Sequence, residues 1–236
     1  YCGNVFPCRA ATEEPINWSI NKVTGYPENH MPVFSRENVF KAPTYTFQIS
    51  TGPYECKDVS TTKDGTTLEV CWLPGGEEKL TFGSAYVMTA LAWISYRYNQ
   101  KYPFGDLLTM MAVNWGNPGG LETHPTVLLS TETIQDQWIQ VHETFHSIHG
   151  NAIPYTCNED FGTLSEGLVD YSMLLFFKEL QGIEAYYYYL DYYIEAAEAS
   201  AGGSVAMYED TCDIRTIEEV FIDDAYWRVP LAFAEY

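Results

Sequence analysis

His142-Glu143-Thr144-Phe145-His146 places two imidazoles four residues apart. On a helix such a pair shares one face, so both rings can point at a single metal ion, and Glu143 beside the first can reach a metal-bound water. Nineteen residues lie between His146 and Glu166, which falls within Leu164-Ser165-Glu166-Gly167-Leu168-Val169-Asp170. Two helices joined by a loop can return that carboxylate to the metal. His, His and Glu leave a fourth position open, the mark of a catalytic zinc, because structural sites close all four positions with protein ligands. Asp170 stands one turn beyond Glu166, where it can accept the outer ring N–H of a zinc-bound histidine and fix its tautomer. The alternative for Asp170 is an exposed helix carboxylate.

The remaining histidines fit the pattern less well. His149 follows His146 by three residues, which turns a helix by about 300°, so its ring flanks the other two instead of converging with them. His124 follows the Glu122 segment, and the alternation of a strand leaves open whether it faces a cleft. His30 has no identifiable partner.

These residues need helices to hold them. Ser130 or Thr131 can cap a helix with Ile134, Trp138, Val141, Phe145 and Ile148 on one face, and Gly150-Asn151 supplies its stop. Further helices are expected from about Thr163 to Leu180, from Glu184 to Ser200, and from Asp224 onward. The run Tyr186-Tyr187-Tyr188-Tyr189-Leu190-Asp191-Tyr192-Tyr193 reads as core and interface surface with hydroxyls reaching water. Ahead of the helices, Leu107 to Asn114 reads as a buried strand, and Leu121 to Ser130 as another after the Gly119-Gly120 turn. An apolar helical pattern spans Ala85 to Tyr98 and ends at Lys101-Tyr102-Pro103-Phe104-Gly105. Residues before Lys79 carry Pro, Gly, Thr and Asn with short alternating runs such as Thr44–Ile49 and Thr67–Trp72, which is strand and turn grammar.

Composition narrows the function. The 236 residues carry 12 Lys and Arg against 32 Asp and Glu, a formal charge of −20. Nucleic acid is excluded as an expected partner, since nothing forms a basic footprint. No run of 18 apolar residues suggests a membrane span. Six scattered cysteines form no CxxC pair, so three disulfides are expected. Cys56 and Cys71 flank the turn signal Lys63-Asp64-Gly65 and make the best candidate pair. With the glycosylation sequon Asn17-Trp18-Ser19, this fits a mature, secreted chain. The oligomeric state is not legible.

In order and approximate separation, several segments resemble the gluzincin metallopeptidases, and among them the M1-type zinc aminopeptidases. That family shows a Gly-x-Met-Glu-Asn strand, HExxH followed closely by Gly-Asn, a Trp-Leu-Asn-Glu-Gly segment and later Tyr-Glu-Lys-Gly. Here the counterparts are Gly119-Gly120-Leu121-Glu122-Thr123, His142 to His146 with Gly150-Asn151, Leu164-Ser165-Glu166-Gly167, and Ala225-Tyr226-Trp227-Arg228. Tyr102-Pro103-Phe104 is similar to the Tyr-Pro turn before the family's strand, so the resemblance runs roughly from Thr67 to Tyr236. Thr123 departs from the family's Asn, and Trp227, Arg228 and Val229 from its Glu, Lys and Gly. The interval to Glu166 is one residue longer than is usual in M1 enzymes and looks like that of thermolysin-type gluzincins, whose Glu-x-x-x-Asp pattern Glu166 and Asp170 also fit.

The resemblance implies an α+β, thermolysin-like catalytic domain, and the change from strand and turn grammar to helical spacing places its boundary so that residues 80–236 form it and residues 1–79 a short β-rich region before it. It implies a Zn2+ cofactor on His142, His146 and Glu166, and a peptide or protein substrate. Glu143 would take a proton from the attacking water and deliver it to the leaving amine. Tyr226 would donate to the tetrahedral oxyanion, an interaction that contributes on the order of 3 kcal/mol in other hydrolases. Glu122, with Gly119 and Gly120 on the same strand, would bind a free substrate α-ammonium and so make the enzyme an aminopeptidase. An endopeptidase with an open cleft, or a binding protein that keeps the fold without turnover, are the rival readings.

Overall fold

A computed structural model describes residues 8–10, 19–22, 30–33, 46, 49–51, 53–76, 84–116, 119–155, 161–200 and 223–234. Its backbone contacts divide into two compact units, residues 1–144 and 145–236.

In the first unit, apolar residues on alternating and continuous strand patterns build a five-stranded mixed sheet. Two short antiparallel pairs precede it, β1 (Cys8–Ala10) with β4 (Ile49–Thr51) and β2 (Ser19–Lys22) with β3 (His30–Val33). The sheet runs in the order β5 (Glu55–Thr61), β6 (Thr67–Trp72), β7 (Leu107–Val113), β9 (Thr126–Ser130) and β8 (Gly120–Leu121). β6, β7 and β9 are parallel, while β5 and β8 are antiparallel edges. Central parallel strands are buried on both faces, which is why Leu107–Val113 and Thr126–Ser130 read as near-continuous apolar runs with only small Thr and Ser side chains among them. Helix α1 (Ser84–Tyr98) makes the crossover from β6 to β7 and buries Val87, Ala90, Leu91 and Ile94, the i, i+3, i+4, i+7 stripe of an amphipathic helix. The expected boundary near Lys79 falls on 77–83, outside the described residues, as do the sequon residues Asn17 and Trp18.

Cys56 and Cys71 face each other across the β5–β6 register and are bridged, as their flanking turn suggests. Cys71 packs with Met111 and Leu128 beneath the sheet. Among the described residues no cysteine is free.

Helix α2 (Gln137–Phe145) closes the first unit and is shorter than expected at both ends. Its cap is Asp136, whose carboxylate accepts the Trp138 backbone N–H at 2.8 Å. Ser130 instead starts a pair of turns through Thr133 to Asp136. The Gln140 side chain donates to the Ile134 carbonyl at 2.6 Å and holds those turns in place.

In the second unit, a π-helical turn (Phe161–Glu166) leads directly into α3 (Gly167–Gln181), and α4 (Ile183–Ala199) and α5 (Asp223–Ala234) pack on it. Phe145, Phe176 and Phe177 form a chain of edge-on rings in its core. The tyrosine run lies on α4: Tyr193 is fully buried, whereas Tyr187, Tyr188 and Tyr192 are exposed. No helix among the described residues is long and apolar enough to cross a membrane.

Candidate metal centre and active site

The β8–β9 hairpin is fixed at its entry by Thr133, whose hydroxyl accepts the Gly119 N–H at 3.0 Å and donates to the Gly119 carbonyl at 3.1 Å. Gly120 is next along the chain, and its missing side chain matters: a β-carbon there would stand 2.5 Å from both Cγ and Oε1 of Glu143. The Glu143 carboxylate therefore lies against bare hairpin backbone. Glu122, two residues on, is only 6% exposed, so it is not a solvated strand-edge group.

The long strand expected from Leu121 to Ser130 is broken in two here. Thr123 donates its hydroxyl to the Thr126 carbonyl, and the Thr123 and His124 amides turn back onto Leu121 and Glu122. This local turn leaves Pro125 in a cis peptide and sends His124 inward. His124 does not line an open cleft. It is buried between the Tyr102 hydroxyl, 2.8 Å from Nδ1, and the Glu143 backbone carbonyl, 2.7 Å from Nε2.

At the end of α2 the chain leaves helical geometry, and His146 is held by the turn formed from residues 147–150. Its Nδ1 lies 3.0 Å from the His149 carbonyl, which can only accept, so Nδ1 carries the proton and Nε2 presents a lone pair. Fixing the outer ring nitrogen is how metal-binding histidines are oriented. Gly150 makes the return possible, since its φ of 98° is a left-handed conformation and a β-carbon there would meet Ser165 Oγ at 2.3 Å and His146 Nδ1 at 3.3 Å. His146 Nε2 lies 3.2 Å from Glu166 Oε2, with both side chains almost wholly buried.

His142, His146 and Glu166 each offer a ligand atom, all within 4.8 Å of one another. Two imidazole nitrogens and a carboxylate oxygen, converging and largely removed from water, form a donor set that suits zinc. Glu143 neighbours His142, the first of these donors, as the motif requires. The outer partner seen on His146 is a backbone carbonyl. Asp170 is buried in α3 beside Tyr193, and burial first, then the Asp170 charge, hold the Tyr193 phenol well above its usual range. His149 presents its ring to Ser172, and burial followed by nearby His146 lowers its pKa to about 4. Tyr226 is half-buried on α5 with its ring beside Trp227, and α5 packs against the π turn that ends in Glu166.

Sequence reasoning missed the His124 bonds and the Tyr193–Asp170 pair. Nothing in periodicity distinguishes a histidine turned inward by a tight bend from one on a strand face.

Comparison with known proteins divides by kind. No protein-family model matches the chain, and no curated protein matches it in sequence. Solved structures do. A mutant of the M1 zinc metallopeptidase from Deinococcus radiodurans superposes with a TM-score of 0.72 at 17% identity, over 98% of this chain and 49% of that one. The fold is that of an M1 zinc metallopeptidase. A mutant two-domain M1 zinc metallopeptidase bound to L-arginine matches at TM-score 0.70 and 19% identity, and a mutant of the Deinococcus enzyme bound to a Tyr-Ser-Ala substrate at 0.67 and 17%, with the same coverage. The chain spans about half the length of these M1 structures. The α+β class and the gluzincin-like fold expected from the motifs are thus observed.

Proposed function

We propose that this chain is the catalytic part of a secreted zinc-dependent peptidase, and specifically of an aminopeptidase. The convergence of His142, His146 and Glu166, with Glu143 beside the first of them, carries this reading. Zinc bound there would supply Lewis acidity and a water acidified toward neutral pH. Glu143 then holds the proton taken from the attacking water at its carboxylate and passes it to the leaving amine. Tyr226 donates its phenolic hydrogen to the oxygen that gains charge. Glu122, buried on the same hairpin that packs Glu143, pairs with the substrate α-ammonium, and the backbone at Gly119 and Gly120 lies alongside the peptide. The M1 structures that hold L-arginine and Tyr-Ser-Ala support the exopeptidase choice, because both ligands carry a free α-ammonium. The Cys56–Cys71 bridge supports an oxidising, extracellular setting.

Zinc content together with hydrolysis of a free-amine peptide and its N-acetylated twin tests this. One zinc per chain, cleavage of the free-amine peptide alone, and loss of turnover in Glu143→Gln are expected. Equal cleavage of both peptides would establish an endopeptidase, and zinc without turnover a binding protein.

A further inference from the structure

We propose that His124 is a positioning residue for Glu143: its ring ties the last turn of α2 to the β8–β9 hairpin and so fixes where the carboxylate of the general base stands. This rests on the peptidase reading above and adds a residue that the motifs do not name.

Glu143 lies in the final turn of α2, where a helix leaves its carbonyls without internal donors. The His124 ring supplies one. A carbonyl only accepts, so the 2.7 Å contact requires the hydrogen on Nε2. The neutral ring is then an acceptor at Nδ1, and the Tyr102 hydroxyl donates to it across 2.8 Å. Burial holds the Tyr102 phenol well above its usual range, which keeps that donor protonated. Phe104 stacks on the imidazole at 5.5 Å with the planes 21° apart, and the Tyr102 ring leans on it at 5.7 Å. Two hydrogen bonds, one stacked ring and one tilted ring therefore hold the imidazole in one tautomer.

Gly120 gives this tie its catalytic meaning. The Glu143 side chain rests against the Gly120 backbone with no space for a methyl group, while the Glu143 carbonyl is held by His124 four residues along. Backbone and carboxylate are both referenced to the same hairpin. That hairpin also carries Glu122, so the base and the proposed ammonium acceptor share one frame. Loosening the end of α2 would let the carboxylate drift while leaving substrate contacts on the hairpin in place. Small misplacement of a catalytic group lowers the chemical step more than binding.

The test compares His124→Phe, which keeps the stacking and removes both hydrogen bonds, with His124→Gln, whose amide nitrogen reaches as far as Nε2. In the Phe variant zinc should remain at one per chain, KM should stay within about twofold, and kcat should fall roughly tenfold to a hundredfold. The Gln variant should recover most of the loss. In the metal-free protein, amide hydrogen exchange at the end of α2 should quicken in the Phe variant and return toward wild type in the Gln variant. Unchanged kcat and unchanged exchange in His124→Phe would overturn the proposal, as would a kcat loss that tracks zinc loss or that Gln fails to relieve. Where His124→Phe does not fold, Tyr102→Phe removes only the bond to Nδ1 and should show a smaller fall in kcat, and its failure to do so overturns the proposal equally. If the wild type binds zinc and cleaves nothing, the peptidase reading fails, while the exchange measurement still decides whether His124 holds the helix end.

Discussion

At Gly120 the nearest heavy atoms to an added methyl are Cγ and Oε1 of Glu143, and at Gly150 they are Ser165 Oγ and His146 Nδ1. Both glycines border residues of the proposed chemistry. Gly120→Ala should lower kcat while keeping zinc, because the added methyl overlaps Cγ and the carboxylate of Glu143 and forces that buried side chain to shift; metal analysis beside steady-state kinetics checks it. Tyr193 offers a second prediction. Its phenol titrates later in the folded chain than in the unfolded one, so above about pH 10 the unfolded state holds fewer protons and gains stability. Stability should fall as pH rises through that range, and less steeply in Tyr193→Phe, as read from urea midpoints. The convergence of His142, His146 and Glu166 is legible in the sequence because metal chemistry fixes both residue type and spacing. His124 is not, because its orientation comes from a turn at Thr123–Thr126 that leaves no periodic signal.

Elements whose pattern is local are legible too: the β6 and β7 strands, α1, and the α3 and α4 helices fall within a few residues of expectation. The helix start expected at Thr163 differs. Glu166 closes a π-helical turn, and the wider i to i+5 bonding has no sequence period of its own, though such turns recur at functional sites. The helix carrying His142 lies where its pattern predicts but is shorter, since Asp136 outcompetes Ser130 as its cap. The Cys56–Cys71 bridge joins the edge strand β5 to the buried strand β6 and closes a short loop of sequence separation 15. Such a loop restricts the unfolded chain by about 3 kcal/mol. A Cys56→Ala, Cys71→Ala double variant should lose about that much in denaturant titration and keep its metal stoichiometry. Loss of zinc as well would show that this edge of the sheet supports the centre.

For the whole chain, metal is expected to be a folding ligand as well as a reagent. Free zinc about a thousandfold above its Kd stabilises the bound form by ~4 kcal/mol, and chelation should therefore lower the thermal midpoint by on the order of 10 °C. An unchanged midpoint on chelation would mean that the three donors do not hold the ion in solution. The exposed Tyr187, Tyr188 and Tyr192 rings show that the tyrosine run is less uniform than its composition suggests, because only one side of α4 is committed to the core. Within the same unit, Trp227 on α5 sits 5.7 Å from Tyr192 and 5.8 Å from Tyr193 on α4. At such separations an excited tyrosine passes its energy to the indole before it can emit. The chain thus carries its own optical gauge of α5 docking: undocking the helix that bears Tyr226 should brighten tyrosine emission and dim the indole, a signal that Trp227→Phe would abolish.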